Sequence, residues 1–244
     1  MEVGRIAIAL GFFGIAGYGF FAFNVPDTPV TVREAALHRM GDALIFVGQI
    51  DNPGRADRLT GIGTEAAARS LLTGKALVVP ASSTPSLAMD GVHGVIMGVH
   101  GDTSEGRLIP VSLWFERAGR VSTRARISNA TMDHTQRHEV PEDAPHPSVA
   151  IEATATDSGW EVAVDVENFT FSQDGVDGPH EPGVGHGHLY LNGLKLQRLY
   201  STTASVGALP PGQYQLKLTL NTNDHRAYSV AGDVVEAVTI LTVN

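Results

Sequence analysis

The sequence contains no cysteine. That absence removes structural disulfides, thiolate nucleophiles, thiol redox relays and cysteine-ligated metal centres, and with them a blue-copper electron carrier. Any metal here has to be held by histidine, methionine or carboxylate. Basic runs are missing too. Against 26 Asp and Glu stand 17 Lys and Arg, a formal charge of -9, so nucleic acid is a poor partner. No Gly-x-Ser-x-Gly elbow sets a serine beside a base, and no phosphate-cradling loop is present. Nothing marks the chain as an enzyme. Low-complexity tracts and obvious internal repeats are absent, and helical periodicity is scarce.

What is present favours strands. The 244 residues include 27 glycines and 13 prolines, with Val and Thr abundant, enough chain for two small β domains or one large one. Short apolar runs separated by Gly, Ser and Asp begin at Val30 and recur at 43–50, 77–80, 92–98 and 108–116, the spacing of a small β-sandwich ending near Ile127. Gly63–Arg69 reads as one helical turn. Residues 129–148, rich in proline and acidic side chains, read as an extended, solvated linker. From Val149 onward a second sandwich is expected, with strands at 150–156, 160–167, 212–220 and 234–243. On the second of these Trp160, Val162, Val164 and Val166 share one face, a half-buried pattern.

Ahead of both domains, Ile6 to Pro26 is apolar, with no charge between Arg5 and Asp27. That length suits one bilayer-spanning helix. A cleaved signal peptide is the competing reading, but Phe-Phe-Ala-Phe-Asn-Val-Pro is a poor cleavage site. The expectation is a retained anchor over residues 1–27, with the bulk of the chain on the periplasmic side of a bacterial inner membrane. Ala7, Gly11 and Gly14 form a small-residue stripe on such a helix, where another membrane helix can approach.

The richest stretch runs from His180 to Tyr200. Asn192-Gly193 separates Leu189/Leu191 from Leu194/Leu196, which is the sequence of a two-residue hairpin turn. On the incoming strand His186 and His188 project from one face, about 7 Å apart along the strand, with Gly185 and Gly187 expected to leave room around the rings. His180 lies on a Pro/Gly loop just upstream, and His225 sits in an Asn/Asp turn. Three or four imidazoles suit copper or zinc. Glu181 and Asp224 stand close enough in sequence to orient a ring. The competing reading has these side chains satisfying loop backbone groups and no metal bound.

Two resemblances add to this. Ala56-Asp-Arg-Leu59, Val79-Pro-Ala81, Gly91-Val-His93-Gly-Val-Ile-Met97-Gly98, Glu105-Gly106 and Val111–Gly119 run in the order found in PCuAC-type periplasmic copper chaperones. That resemblance implies a cupredoxin-like fold over residues 28–128 and a role in holding Cu(I). It also points to His93 and Met97 as weaker ligand candidates, with Met89 and His100 nearby. Val95 replaces the family's methionine two residues past the histidine, and the earlier His/Met hairpin is shortened to Ala66–Gly74 without either residue type. Glu181-Pro-Gly183, Gly185-His186-Gly-His188-Leu-Tyr190, Arg198-Leu-Tyr200, Leu209-Pro-Pro-Gly212 and Asn221-Thr-Asn223-Asp224-His225 resemble an uncharacterised family of bacterial exported domains associated with copper proteins. Val184 stands where that family usually has Glu.

The expected molecule is all-β beyond the anchor: residues 1–27, 28–128, 129–148 and 149–244 as anchor, first sandwich, linker and second sandwich. Its expected role is non-enzymatic copper handling at His180, His186, His188 and His225, for a membrane cuproenzyme. The alternative is an accessory subunit that docks an integral membrane complex, respiratory or photosynthetic, through a degenerate copper-chaperone scaffold.

Overall fold

The computed structural model describes residues 29–75, 77–129 and 136–244. The anchor expected over residues 6–26 and its small-residue stripe lie outside the described residues. Among those described, no helix is long and apolar enough to cross a membrane, and every regular element is a strand.

The first half comprises β1 (Thr31–Met40), β2 (Ala43–Asp51), β3 (Asp57–Gly63), β4 (Ala67–Leu72), β5 (Leu77–Val79), β6 (Ser86–Leu87), β7 (Gly94–Val99), β8 (Leu108–Phe115) and β9 (Gly119–Ser128). The second comprises β10 (Arg137–Glu139), β11 (Ser148–Thr156), β12 (Gly159–Glu167), β13 (Thr170–Phe171), β14 (Val184–Leu191) and β15 (Leu194–Leu199). It continues through β16 (Thr203–Gly207), β17 (Gly212–Thr222), β18 (Ala227–Val230), β19 (Asp233–Val234) and β20 (Glu236–Val243).

In the first half β7 lies between β4 and β2, and β3 between β5 and β8, all antiparallel. Strand β1 joins the two layers, antiparallel to β2 and parallel to β9, with a bulge between Arg33 and Ala36. Leu37, Phe46, Ile50, Leu59, Ile96, Leu113 and Ile127 close the space between them. The stretch read as a helical turn is different. Residues 67–72 form β4, paired with β7 from Ala67↔Val99 to Leu72↔Gly94. Helix propensity separates alanine from other ordinary residues by only ~0.7 kcal/mol, and the sheet ladder overrides it.

The second half opposes the sheet β11-β12-β16 to a sheet in which β14 lies between β15 and β17, and β17 continues to β20. On β12, Val162 and Val164 are buried while Glu161, Asp165 and Glu167 are exposed, as the alternation predicts. The linker reading needs correction. Within 129–148, β10 pairs in parallel with β18. Val140 is buried with Phe169, Leu220, Tyr228 and Val235, because an apolar side chain beside that ladder gains more from the core than from water.

Asn192 and Gly193 both have positive φ, 48° and 83°, the signature of a type I′ turn whose twist matches a hairpin. Asn192 Oδ1 accepts the Gln215 backbone N–H at 2.8 Å, locking the turn to β17. The halves meet at this turn. The Val92 N–H donates to the Gly193 carbonyl, and the Ala81 N–H donates to that of Ala208. Leu194 packs into the first core and Val78 into the second.

The tightest approach is at Gly207, where an added Cβ would lie 1.8 Å from the Ala81 carbonyl oxygen. Gly207→Ala is therefore expected to destabilise the protein by about 1–3 kcal/mol or more in urea unfolding. Gly61→Ala, whose methyl would meet only Trp114 at 3.8 Å, is the mild control. Equal losses in the two would contradict this account of the interface.

Candidate metal centre

Period-two alternation along β14 sends Gly185, Gly187 and Leu189 to one face and His186, His188 and Tyr190 to the other. The glycines do not make room for the imidazoles, as the sequence suggested. They make room for what lies behind. A Cβ on Gly185 would fall 1.9 Å from the Asn221 carbonyl oxygen, and one on Gly187 would fall 2.9 Å from a Leu218 methyl. With neither side chain present, β17 pairs closely with β14 from Gly185↔Thr222 to Leu191↔Leu216. Both histidines are then almost wholly buried, at 0% and 1% exposure, with their Nε2 atoms 2.9 Å apart.

The third member arrives from the turn after β17. The His225 N–H donates to the Thr222 carbonyl. The Thr222 hydroxyl donates to Asp224 and accepts the Arg226 N–H. This turn holds His225 in the left-handed region at φ 69°. Its ring centroid lies 4.9 Å from that of His186 and 6.4 Å from that of His188. One nitrogen from each ring falls within 4.8 Å of the others.

Two carboxylates back this trio. The Asp90 Oδ2 atom, from the loop between β6 and β7 of the first half, lies 2.8 Å from His188 Nδ1. Asp177 Oδ1 bonds His225 Nε2. Each contact fixes one ring nitrogen and leaves the other for the centre, the arrangement by which carboxylates orient metal-binding histidines. His186 Nδ1 is buried with no partner among the described residues. Asp90 also accepts from Lys195 Nζ at 2.8 Å and from the Tyr190 hydroxyl at 3.0 Å. Lys195 Nζ lies 3.1 and 3.2 Å from the two ring nitrogens of His188.

Burial pushes the His186 imidazole down to about 2, helped by His188 and His225. Burial also pushes His188 down to about 4, against the opposing pull of Asp90. Burial alone would raise the Asp90 carboxyl, but His188 and Lys195 hold it far below the usual carboxylate range. Burial lowers the Lys195 ammonium, partly offset by Asp90. His186 and His188 are thus neutral and able to donate electron pairs at physiological pH.

The donor set fits an imidazole-binding ion such as copper or zinc. For bonds of 2.0–2.1 Å in a tetrahedral site, neighbouring nitrogens stand about 3.3 Å apart, so to hold such an ion the close pair would have to open slightly and His225 to move inward. Charge refines the choice. Asp90 and Asp177 are already matched by Lys195 and, at the rim, by Arg198, whose field reaches His186, His188 and Asp177. A divalent ion would add two uncompensated charges to this buried space, a monovalent ion one.

His180 does not join the trio. Its ring packs against His138 instead, centroids 3.9 Å apart, because the Pro/Gly loop turns it toward β10 and β18. Glu181 is exposed, and its carbonyl accepts from the Tyr228 hydroxyl. Asp224 pairs with Arg226 at 2.9 Å rather than orienting a ring of the trio. In the first half His93 Nδ1 lies 3.0 Å from the Gly91 carbonyl oxygen. Met97 is four residues further on, about 13 Å along an extended chain, too far to share one ion with His93. Met89 lines a cavity of about 570 Å³ between the halves, together with Asp90 and Lys195.

Comparison with known proteins bears on the first half. Residues 29–127 match the LpqE-like lipoprotein family. Solved structures similar to this half include PCuAC-type domains. A copper-bound PCuAC domain from PmoF2 is 19% identical, covering 42% of this chain and 95% of that one at a TM-score of 0.39. An apo PCuAC domain from PmoF1 is 23% identical, with 42% and 96% covered at 0.39. Fibronectin(III)-like modules of Clostridium thermocellum CbhA span 88% of this chain and 94% of theirs at 8% identity and a TM-score of 0.27. No curated protein matches.

Because His186 and His188 are neutral when folded and take up protons when unfolded, the unfolded chain binds more protons below about pH 6.5. Stability of the metal-free protein is expected to be complete above that pH and to fall as the pH drops toward 4. Urea midpoints at pH 7.5, 6.0 and 5.0 would show it, with a shallower slope in His188→Gln. Identical slopes would mean that His188 is not buried neutral.

Proposed function

We propose that this protein is an extracytoplasmic, non-enzymatic copper-handling protein whose cargo is held by His186, His188 and His225. The observation that carries the reading is three imidazoles with donor atoms within 4.8 Å, two of them backed by carboxylates. The balanced charge around them favours Cu(I), with zinc as the competing cargo. An extracytoplasmic setting is supported by the lipoprotein family matched by residues 29–127, and anchoring through residues 6–26 belongs to the same proposal. Holding and releasing an ion needs no nucleophile or proton relay, and the buried trio offers none to a substrate.

The first half has a different task in this reading. Among its described residues no three His, Asp or Glu side chains cluster as metal ligands. Its loop instead supplies Asp90 to the second half. This observation also favours the second reading, an accessory subunit in which a copper-chaperone scaffold has become a contact surface for a membrane complex.

The test is anaerobic titration of the metal-free full-length chain with Cu(I), and separately with Zn(II), beside a His186→Ala/His188→Ala variant. The variant is expected to bind one stoichiometric equivalent fewer than the wild type. Titrations that do not differ between the two proteins would sink the copper reading and leave the accessory one. Asp90→Asn keeps the shape of the carboxylate but not its charge, and is expected to weaken binding by about 10–100-fold. Unchanged affinity would remove the first half from the site.

A further inference from the structure

A second pair of imidazoles stands outside the trio. His138 lies on β10, opposite Tyr228 of β18 in the parallel ladder. His180 comes from the loop before β14. Their centroids are 3.9 Å apart at an interplanar angle of 45°, and both rings contact Tyr228 at 5.4 and 5.9 Å. The Tyr228 hydroxyl donates to the carbonyls of Glu181 and Val184, clamping the loop that carries His180. The pair is therefore held from both sides, one ring by a sheet ladder and the other by a tyrosine clamp.

The surroundings are apolar. The two rings line a cavity of about 770 Å³ with Val140, Pro141, Phe169 and Pro182. His180 Nδ1 is buried with no hydrogen-bond partner among the described residues. Burial lowers both imidazoles, favouring their neutral, electron-donating forms. The carboxylates whose charge reaches the pair are engaged elsewhere, Asp224 by Arg226 and Thr222 and Glu139 by the Ser229 hydroxyl and the Gly232 N–H. The Arg226 charge further opposes a cation there, and a divalent one twice over.

We propose that His138 and His180 form a second metal site, selective for a soft monovalent cation, Cu(I), in the apolar cavity beside Tyr228. Imidazole is an accepted ligand for copper. Two neutral donors in apolar surroundings, without a free carboxylate, disfavour hard or divalent ions. The turn Thr222–Arg226 lies between the two sites. It sends His225 to the trio, while the charges of Asp224 and Arg226 act on His180. The second site does not depend on whether the trio binds metal.

The test uses the full-length chain, titrated anaerobically with Cu(I) against a chromophoric chelator. Ag(I) serves as a redox-inert probe for imidazole nitrogen NMR. The wild type is expected to take up two equivalents and the His186→Ala/His188→Ala variant one. Adding His180→Gln to that variant should leave none. In an otherwise native chain, His138→Gln or His180→Gln should each lower two equivalents to one, which covers the case in which the trio variant fails to fold. Ag(I) should shift the ring nitrogens of His138 and His180 in the wild type. Unchanged stoichiometry in His138→Gln and His180→Gln, with unmoved ring resonances, would overturn the proposal. One equivalent that is lost with His180 and kept without His186 and His188 would overturn the trio reading while sustaining this one.

Discussion

A single carboxylate oxygen ties the molecule together. Asp90 Oδ2 receives an ammonium from Lys195, a phenol from Tyr190 and an imidazole from His188, and it is the only one of the four that belongs to the first half. A charge taken out of water is tolerable only when its partners are all in place. Losing one partner of such a pair costs about 3–5 kcal/mol. The two β-sandwich halves are therefore not independent bodies on a string. The hydrogen bond from Val92 to Gly193 sets the loop on the hairpin turn, and Asp90 then reaches into the face of β14 that carries the histidines.

From that contact follows the character of the centre. His188 presents Nε2 because Nδ1 is committed to Asp90, and His225 is similarly committed through Asp177. The ammonium beside His188 makes the site sensitive to the charge of its cargo as well as to its ligand preference. Charge beside a buried centre weighs on any ion more heavily as its valence rises. The first half contributes Asp90, and the second half contributes the donor atoms and the remaining charges.

The hairpin and its histidine face were legible because they depend on local rules: Asn-Gly demands positive φ, and a strand alternates its faces. The strands of the second half were legible for the same reason. Ala67–Arg69, the end of the stretch read as a helical turn, were misread because alanine's helical preference is small beside a ladder formed with residues some thirty positions away. His180 was grouped with the trio because it is close in sequence, but a proline-glycine loop can turn a side chain either way, and only the Tyr228 clamp decides which. Tyr190 was within reach of the alternation argument. Asp90 and Asp177 were not, since they lie 98 and 48 residues from the rings they hold, and no local pattern announces contacts so distant along the chain.

The backbone of His225 sits where asparagine or glycine is at ease and a bulkier residue is under mild strain. Asn or Gly would suit the turn best, whereas histidine adds a ring that bonds Asp177 and joins the β14 pair. A chain released from any demand to bind would gain backbone ease by drifting to Asn or Gly there, giving up the contact with Asp177. The histidine at 225 thus works as a tell-tale: in a related sequence that keeps the β14 pair but carries glycine at this turn, one would look for a relaxed turn and an abandoned cargo.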